Sequence, residues 1–339
     1  MTRRMIMRIQ DSLKKVLPSY LVEKHMVRRL NEMDKRIRET NEKNEYLFWL
    51  SQMQPDETMQ QTKERVFLRM PKATGRLRNI QLAENYILQR VKDICDANGL
   101  ELFLVGGTLL GAVRHKGFIP WDNDIDVGMM LSDYRKLVEL LKDDPILRAD
   151  YYYNYSTGLR IPKIKFRAVD VFWIDVLLFD LIDVTEKTRD AVWEETEKAN
   201  REHMAKLQEF ARPYKGQDWA RPAANPEMDR LCDKYEAEQL KNYPYYGHGE
   251  YFSGLISTPY WSRKGRGIRS CRLHFPLLKD YLEFEGKYYS VWNNYELTLT
   301  QFYGDYWKLP FSINEPHTTE LDYGLEEGFA YLRTLGVIE

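Results

Sequence analysis

The sequence predicts an α+β fold in which helices flank a mixed β-sheet and a basic helical arm precedes the main domain. Three observations predict it. Residues 78–98 carry apolar side chains at helical spacing and end on Asn98-Gly99. Short apolar or alternating runs at 102–105, 124–127, 161–169 and 171–180 have the length and period of strands. The first forty residues hold eleven Lys or Arg against five Asp or Glu, a local excess of positive charge.

The arm comes first. Met5, Ile6, Ile9, Leu13, Val16 and Leu17 recur at helical spacing beside Arg3, Arg4, Arg8, Lys14 and Lys15, and Pro18 ends the helix. Residues 1–17 suit an anionic membrane surface and suit packing on the protein itself or a second copy equally well. Met26, Leu30, Met33 and Ile37 then step by four, three and four, the seam of a short coiled coil. Residues 26–37 are therefore the expected homo-oligomer contact, interrupted by Thr40 and Asn44. Residues 51–75, with Pro55, Pro71 and Gly75, read as a linker. The expected domains are an arm over 1–75, a main domain over 76–312 with a helical insertion at about 184–260, and a tail over 313–339 with a short helix.

At 339 residues, with 43% apolar and 13% aromatic side chains, the chain can bury a sizeable core. Its net charge of −1 gives no general attraction to nucleic acid. Cys95, Cys232 and Cys271 are far apart and form no zinc-like spacing. No apolar run approaches the roughly 20 residues needed to span a bilayer, and the N-terminus lacks the features of a secretory signal. The expected location is the cytoplasm, peripheral to the inner face of the plasma membrane if the arm binds lipid.

In the main domain the helix over 78–98 leads to a buried strand, Leu102 to Val105. Gly106-Gly107 and Thr108 follow as a turn, and 109–115 form a short helix. A strand, a glycine turn and a helix start bring free N–H groups close to a ligand and favour phosphate. Then "DNDIDVGM" alternates. On a strand Asp124 and Asp126 share a face while Ile125 and Val127 turn to the core. Two carboxylates side by side repel unless a cation lies between them, and hard oxygen ligands suit Mg²⁺ or Mn²⁺. Ser132-Asp133 are the expected cap of a helix running to about Lys142. Two more strands follow. "IPKIKFRAV" puts Lys163 and Lys165 on one face, and "VFWIDVLLFD" carries Asp175 alone among apolar residues. A lone buried acid needs a partner or a metal, so Asp175 is the expected third carboxylate. Together these residues suggest phosphoryl transfer, with glycine amides on phosphate and carboxylates on metal.

"GGTLLGAVRHKGFIPWDNDIDVGM" resembles the signature of the LicD family of phosphotransferases, which includes the fukutin-related proteins. "EFEGKYYSVWNNYELTLTQFYGDYWKLP" at 283–310 resembles the family's C-terminal segment, and "FWIDVLLFD" the strand with its later acid. The likeness covers roughly 78–312. Many members read W-D-D-D-I-D where this chain has Asn123, an odd position expected to face away from the acids. Asp122, at the strand's start, is expected just behind the metal ligands. The resemblance implies a nucleotidyltransferase fold. It implies transfer of a phosphorylated group, such as phosphocholine, from a CDP-linked donor to a hydroxyl of a cell-surface glycan or its lipid-linked precursor. It further implies Asp124, Asp126 and Asp175 at Mg²⁺, with Asp175 alternatively activating the acceptor. Gly106, Gly107 and Thr108 would hold donor phosphates, with Arg114, His115, Lys163 and Lys165 as further phosphate contacts. Trp121 would meet the base or head group. The tyrosine cluster at 243–252 fills a core or stacks on a ligand, and the basic run 262–269 grips phosphate or is a solvated surface. Other readings are a nucleotidyltransferase acting on a small acceptor, a D-x-D glycosyltransferase, and a non-catalytic glycan-binding scaffold.

Overall fold

The structure, a computed structural model, describes residues 24–155, 159–182, 189–214, 225–242, 251–254, 279–309 and 324–339. The expected membrane arm 1–17, the tyrosines before 251 and the basic run 262–269 lie outside the described residues. Among the described residues no helix is long and apolar enough to cross a membrane.

The chain forms two compact units. The smaller takes in the first two helices and Trp307 to Leu309. Helix α1, Lys24–Gln52, is laced on its surface by i,i+4 pairs such as Arg28 with Glu32 at 2.9 Å. Met33 is 56% exposed and Ile37 39%, so these two residues of the apolar seam are open. Trp49 is 2% exposed and packs on Phe67, which also meets Trp307 at 5.9 Å. The expected linker contains a helix, α2, Met59–Leu68. A reciprocal cap starts it: the Gln61 N–H donates to Thr58 Oγ1 at 3.2 Å, and the Thr58 N–H to Gln61 Oε1 at 2.9 Å. The prolines around it suggested a loop, but they stand outside the helix.

The larger unit is built on one mixed sheet. Its strands are β1 Leu102–Leu104, β2 Asp126–Met130, β3 Leu147–Asn154, β4 Leu159–Phe166, β5 Trp173–Ile182, β6 Tyr251–Gly254, β7 Lys279–Phe284 and β8 Lys287–Trp292. Their order is β3-β4-β5-β2-β1-β8-β7, with β6 beside the far end of β5. The β2–β5 and β1–β8 pairs are parallel and the others antiparallel. Helices α3 (Gly75–Asn98), α4 (Gly106–His115), α5 (Leu131–Lys142), α6 (Arg189–Ala211), α7 (Pro226–Asn242), α8 (Tyr295–Tyr303) and α9 (Leu325–Thr334) complete the unit.

Helix α3 buries Ile80, Ala83, Ile87, Leu88, Val91 and Cys95 in the main core. It stops at Gly99, whose φ of 64° few other residues tolerate. Phe329 and Leu332 of α9 join the same core.

Four local expectations are corrected. Helix α4 begins at Gly106 rather than 109, so the glycine pair is its first turn, not a separate loop. Strand β2 begins at Asp126, so Asp124 precedes it and reaches the site from a loop. Ser132-Asp133 do not cap α5, which starts one residue earlier from an extended Met130. Asp133 Oδ2 instead accepts the Glu101 N–H at 3.0 Å, tying the helix to the entry of β1. Strand β3 was not anticipated, because its run of Tyr151, Tyr152 and Tyr153 lacks polar alternation.

Candidate active site

The sheet brings the strand acids together. Strands β2 and β5 run parallel with Asp126 opposite Asp175, and antiparallel β4 places Lys163 opposite Asp175. Neighbours across a sheet point the same way from backbones about 4.8 Å apart. Lys163 Nζ closes on Asp175 Oδ1 at 2.6 Å. Its ammonium also lies over Trp173, 4.2 Å from the ring centroid, and 5.0 Å from that of Tyr152. Lys163 is 7% exposed, so it is a buried counter-charge to the acids. Lys165 shares its face but not the site. Its ammonium pairs with Asp150 at 2.6 Å and Asp170 at 3.3 Å, where the negative charge at that end of β4 draws it.

The loop acids Asp122 and Asp124 lie near enough to the strand acids to act on them. The Asp122 N–H bonds back to Ile119 O at 2.9 Å, and the Asn123 N–H to Asp122 Oδ1 at 3.2 Å. This turn brings the carboxyl of Asp122 under the influence of Asp124. Burial and then the Asp124 charge push Asp122 up to about 8. Burial raises Asp126 well above the carboxylate range, with Asp124, Asp175 and Asp122 adding to it. Asp175 is raised by burial and partly restored by Lys163. Asp122 therefore belongs to the cluster rather than behind it. Asn123 is itself buried, at 5% exposure.

Helix α4 meets these acids at its N-terminus. A Cβ on Gly106 would come within 2.5 Å of Asp126 Oδ2, and one on Gly107 within 3.0 Å of Asp122 Oδ2. Gly106 also holds φ +56°, so both space and backbone require glycine there. The carboxylates sit where the helix dipole favours negative charge. Thr108 is buried, and its Oγ1 accepts the Asp126 N–H at 2.8 Å; it fixes the first residue of β2 instead of standing open to a ligand. Arg114 is 6% exposed, near enough to Tyr303 to act on its phenol. His115 meets Trp121 edge-on at 6.4 Å, and Trp121 packs on the core with part of its ring exposed.

Two residues of this site escaped the motif. Glu84 of α3 is 4% exposed, and burial followed by Asp124, Asp175 and Asp122 raises its carboxyl well above normal. Tyr303, at the end of α8, keeps 44% of its surface, yet crowding and the charges of Asp126, Asp122 and Asp124 push its phenol upward. For Tyr303 the signal was the Tyr303-Gly304-Asp305 triplet; for Glu84 there was none.

A buried clamp holds the acid loop from outside. Glu285, in the turn between β7 and β8, accepts from Arg78 Nη2 at 2.8 Å and Lys72 Nζ at 2.8 Å. Arg78 Nη1 also donates to Gln81 Oε1 at 3.2 Å, and Gln81 Nε2 donates to Asp122 O at 2.8 Å. The Glu285 N–H bonds Lys116 O at 2.9 Å. A Cβ on Gly117 would run into Glu285 Oε1, so Gly117 makes room for the clamp.

Among the described residues no three His, Cys, Asp or Glu side chains are grouped so that they could hold a metal ion. The donor chemistry fits a hard divalent cation all the same. Every donor is a carboxylate, the acids repel one another, and among the described residues neither Glu84 Oε2 nor Asp175 Oδ1 makes a well-formed hydrogen bond.

Residues 99–215 match the family described as "LicD/FKTN/FKRP, nucleotidyltransferase domain". The chain is 28% identical over 277 residues to the lipopolysaccharide cholinephosphotransferase LicD of Haemophilus influenzae, covering 73% of this chain and 97% of that protein. It is 49% identical over 43 residues to the ribitol 5-phosphate transferase FKRP of Mus musculus and of Homo sapiens, covering 13% of this chain and 9% of those proteins.

Proposed function

We propose, from the match of residues 99–215 to the LicD/FKTN/FKRP nucleotidyltransferase family, that the protein is a LicD-like phosphotransferase. It moves a phosphorylated group, phosphocholine or a polyol or sugar phosphate, from a CDP-linked donor to a hydroxyl of a glycan or its lipid-linked precursor. The observation that carries this reading is the pairing of Asp126 with Asp175 in parallel register, with Asp122 and Asp124 turned onto them at the start of α4. The acid cluster is the natural place for a metal, and the likeness to LicD over most of the chain supplies the reaction class.

Asp124 and Asp126 would hold Mg²⁺ or Mn²⁺, which supplies charge neutralisation at the phosphorus under attack. The acceptor oxygen attacks the donor phosphorus that bears the transferred group. The bond to the bridging oxygen breaks, and CMP leaves with that oxygen. Asp175, made more basic by burial, would take the hydroxyl proton, while Lys163 holds its other oxygen. Arg114 and the amides of Gly106 and Gly107 are the groups of this chain suited to the diphosphate. Trp121, braced by His115, offers a ring to the base or head group. The exposed Met33 and Ile37 of α1 support self-association through 26–37. A cytoplasmic location with the basic arm on an anionic membrane belongs to the same proposal.

The test is the leaving group. Incubation with CDP-choline, CDP-ribitol and CDP-glycerol in Mg²⁺ is expected to release CMP from one of them, and none in excess EDTA. Pyrophosphate from a nucleoside triphosphate would favour nucleotidyl transfer. A nucleoside diphosphate from a nucleotide sugar would favour glycosyl transfer.

A further inference from the structure

Residues 116–125 carry the chain from the end of α4 to the start of β2, and Asp122 and Asp124 stand in that stretch outside any helix or strand. Its near end is held by the β7–β8 turn. The Glu285 N–H donates to Lys116 O at 2.9 Å, and Glu285 Oε1 accepts the Phe118 N–H at 3.4 Å. Its far end is held by the sheet, where the Asp175 N–H donates to Ile125 O at 2.8 Å. Phe118, Ile119 and Ile125 are also buried. Asp122, Asn123 and Asp124 lie between those anchors and offer no apolar side chain for burial to fix.

Gln81 of α3 meets the loop at that place. It is 0% exposed, so both ends of its amide must be answered. Its Nε2 donates to Asp122 O at 2.8 Å, and its Oε1 accepts from Arg78 Nη1 at 3.2 Å. A guanidinium only donates and a backbone carbonyl only accepts, so these two partners fix which way the amide points. Arg78 stands three residues earlier on the same face of α3. It also grips Glu285, at 2.8 Å from Nη2 and 3.3 Å from Nη1. Glu285 thus reaches the loop twice: directly at Lys116 and Phe118, and through Arg78 and Gln81 at Asp122.

We propose that Gln81 is a positioning residue of the acid site. By holding the Asp122 carbonyl it sets where the carboxyls of Asp122 and Asp124 stand relative to Asp126, and it passes the seating of the β7–β8 turn on to them. The relay is built from α3 and that turn, both outside the family match at 99–215. Its consequence for catalysis rests on the phosphotransferase reading; its effect on the order of the loop does not. A displacement of about 1 Å at a reacting site costs on the order of 10²-fold in rate.

Hydrogen exchange read by mass spectrometry tests the loop without donor or acceptor. The reporters are the amides of Phe118, Asp122 and Asn123, each bonded within the loop or to Glu285. The full-length protein is compared with Gln81→Met, which keeps the length but neither donates nor accepts as an amide does, and with Ile87→Val, a core change on the same helix. Gln81→Met should speed exchange over 116–125 by about tenfold, the scale of one lost hydrogen bond. Ile87→Val should lower the melting temperature and leave that segment within about twofold of wild type. In CMP release from the CDP-linked donor, Gln81→Met should lower kcat by roughly 10- to 100-fold with the donor KM within about threefold. Adding Glu285→Gln should then cost less than the product of the two single losses, because the two residues share one path. Gln81→Asn keeps the amide on a shorter stem and should fall between wild type and Gln81→Met; it serves if the methionine variant melts early. Exchange over 116–125 unchanged in both Gln81 variants, or equally fast in Ile87→Val, overturns the proposal, and so does faster exchange with an unchanged kcat. If the wild-type protein releases CMP from no donor, the phosphotransferase reading falls, and exchange alone decides whether Gln81 holds the loop.

Discussion

Asp126 has two duties that pull against each other. Its backbone starts β2, held by Thr108 Oγ1 at 2.8 Å, and its side chain enters a cluster that burial and three neighbouring acids make unfavourable for charge. Asp126→Asn should therefore lose transfer activity by at least about 10²-fold, the scale of removing one main electrostatic group. Its melting temperature should hold or rise, because a repelling charge is gone; activity assays and thermal melts on one preparation check both. Gly106→Ala tests the same carboxylate from the other side. A methyl 2.5 Å from Asp126 Oδ2 on a backbone at φ +56° must displace the acid, so activity should drop with a stability loss of about 1–2 kcal/mol. At this scale the sequence was partly legible. The isolation of Asp175 among apolar strand residues singled it out in the sequence, and the register sets it opposite Asp126. Lys165 was misplaced because parity gives the face of a strand but not which neighbour along it claims the charge. Glu84 gave no signal: a glutamate on a helix is an ordinary surface residue until the fold buries it.

The β7–β8 hairpin shows how an element far along the chain positions the acids. Glu285 sits at φ +47° in the turn, and its carboxylate is 6% exposed between Arg78 and Lys72. Burial alone would raise its pKa. The hydrogen bonds from Arg78 and Lys72 outweigh burial and hold it below the usual glutamate value. A depressed folded pKa contributes stability above the unfolded value near 4.5, lost as pH falls through the folded value. Glu285→Gln should cost about 1–3 kcal/mol at neutral pH and flatten the decline in stability below pH about 4.5. Some decline will remain, because Asp144 has a similar depressed carboxylate bonded to Arg90 at 2.7 Å. Urea melts at pH 7 and at pH 4 read both effects; equal losses at the two pH values would count against the clamp. In sequence this hairpin was visible only as Phe284-Glu285-Gly286 in the second block. The contact of Glu285 with Arg78 spans 207 positions, and no local pattern encodes such a separation. Helix α3 and strands β4 and β5, by contrast, were readable because their apolar periods are local.

Across the whole molecule, the acid cluster sets how stability responds to pH and cations. Asp122 is pushed up to about 8, and Asp126, Asp175 and Glu84 are all raised. The folded protein therefore keeps protons that the unfolded chain releases at an ordinary carboxylate pKa near 4. Where the native state binds more protons, stability falls as pH rises. The cation-free protein should thus lose melting temperature between pH 6 and pH 9, the upper part of that window, while the depressed carboxylates Glu285 and Asp144 are already fully ionised there. A bound divalent cation reverses the balance, since it favours the charged acids and stabilises the state that holds it. Melting in EDTA should therefore slope downward over this range, and millimolar Mg²⁺ should raise the alkaline end most. A flat profile in EDTA, or an equal Mg²⁺ shift at pH 6 and pH 9, would show that these carboxylates do not meet as one site.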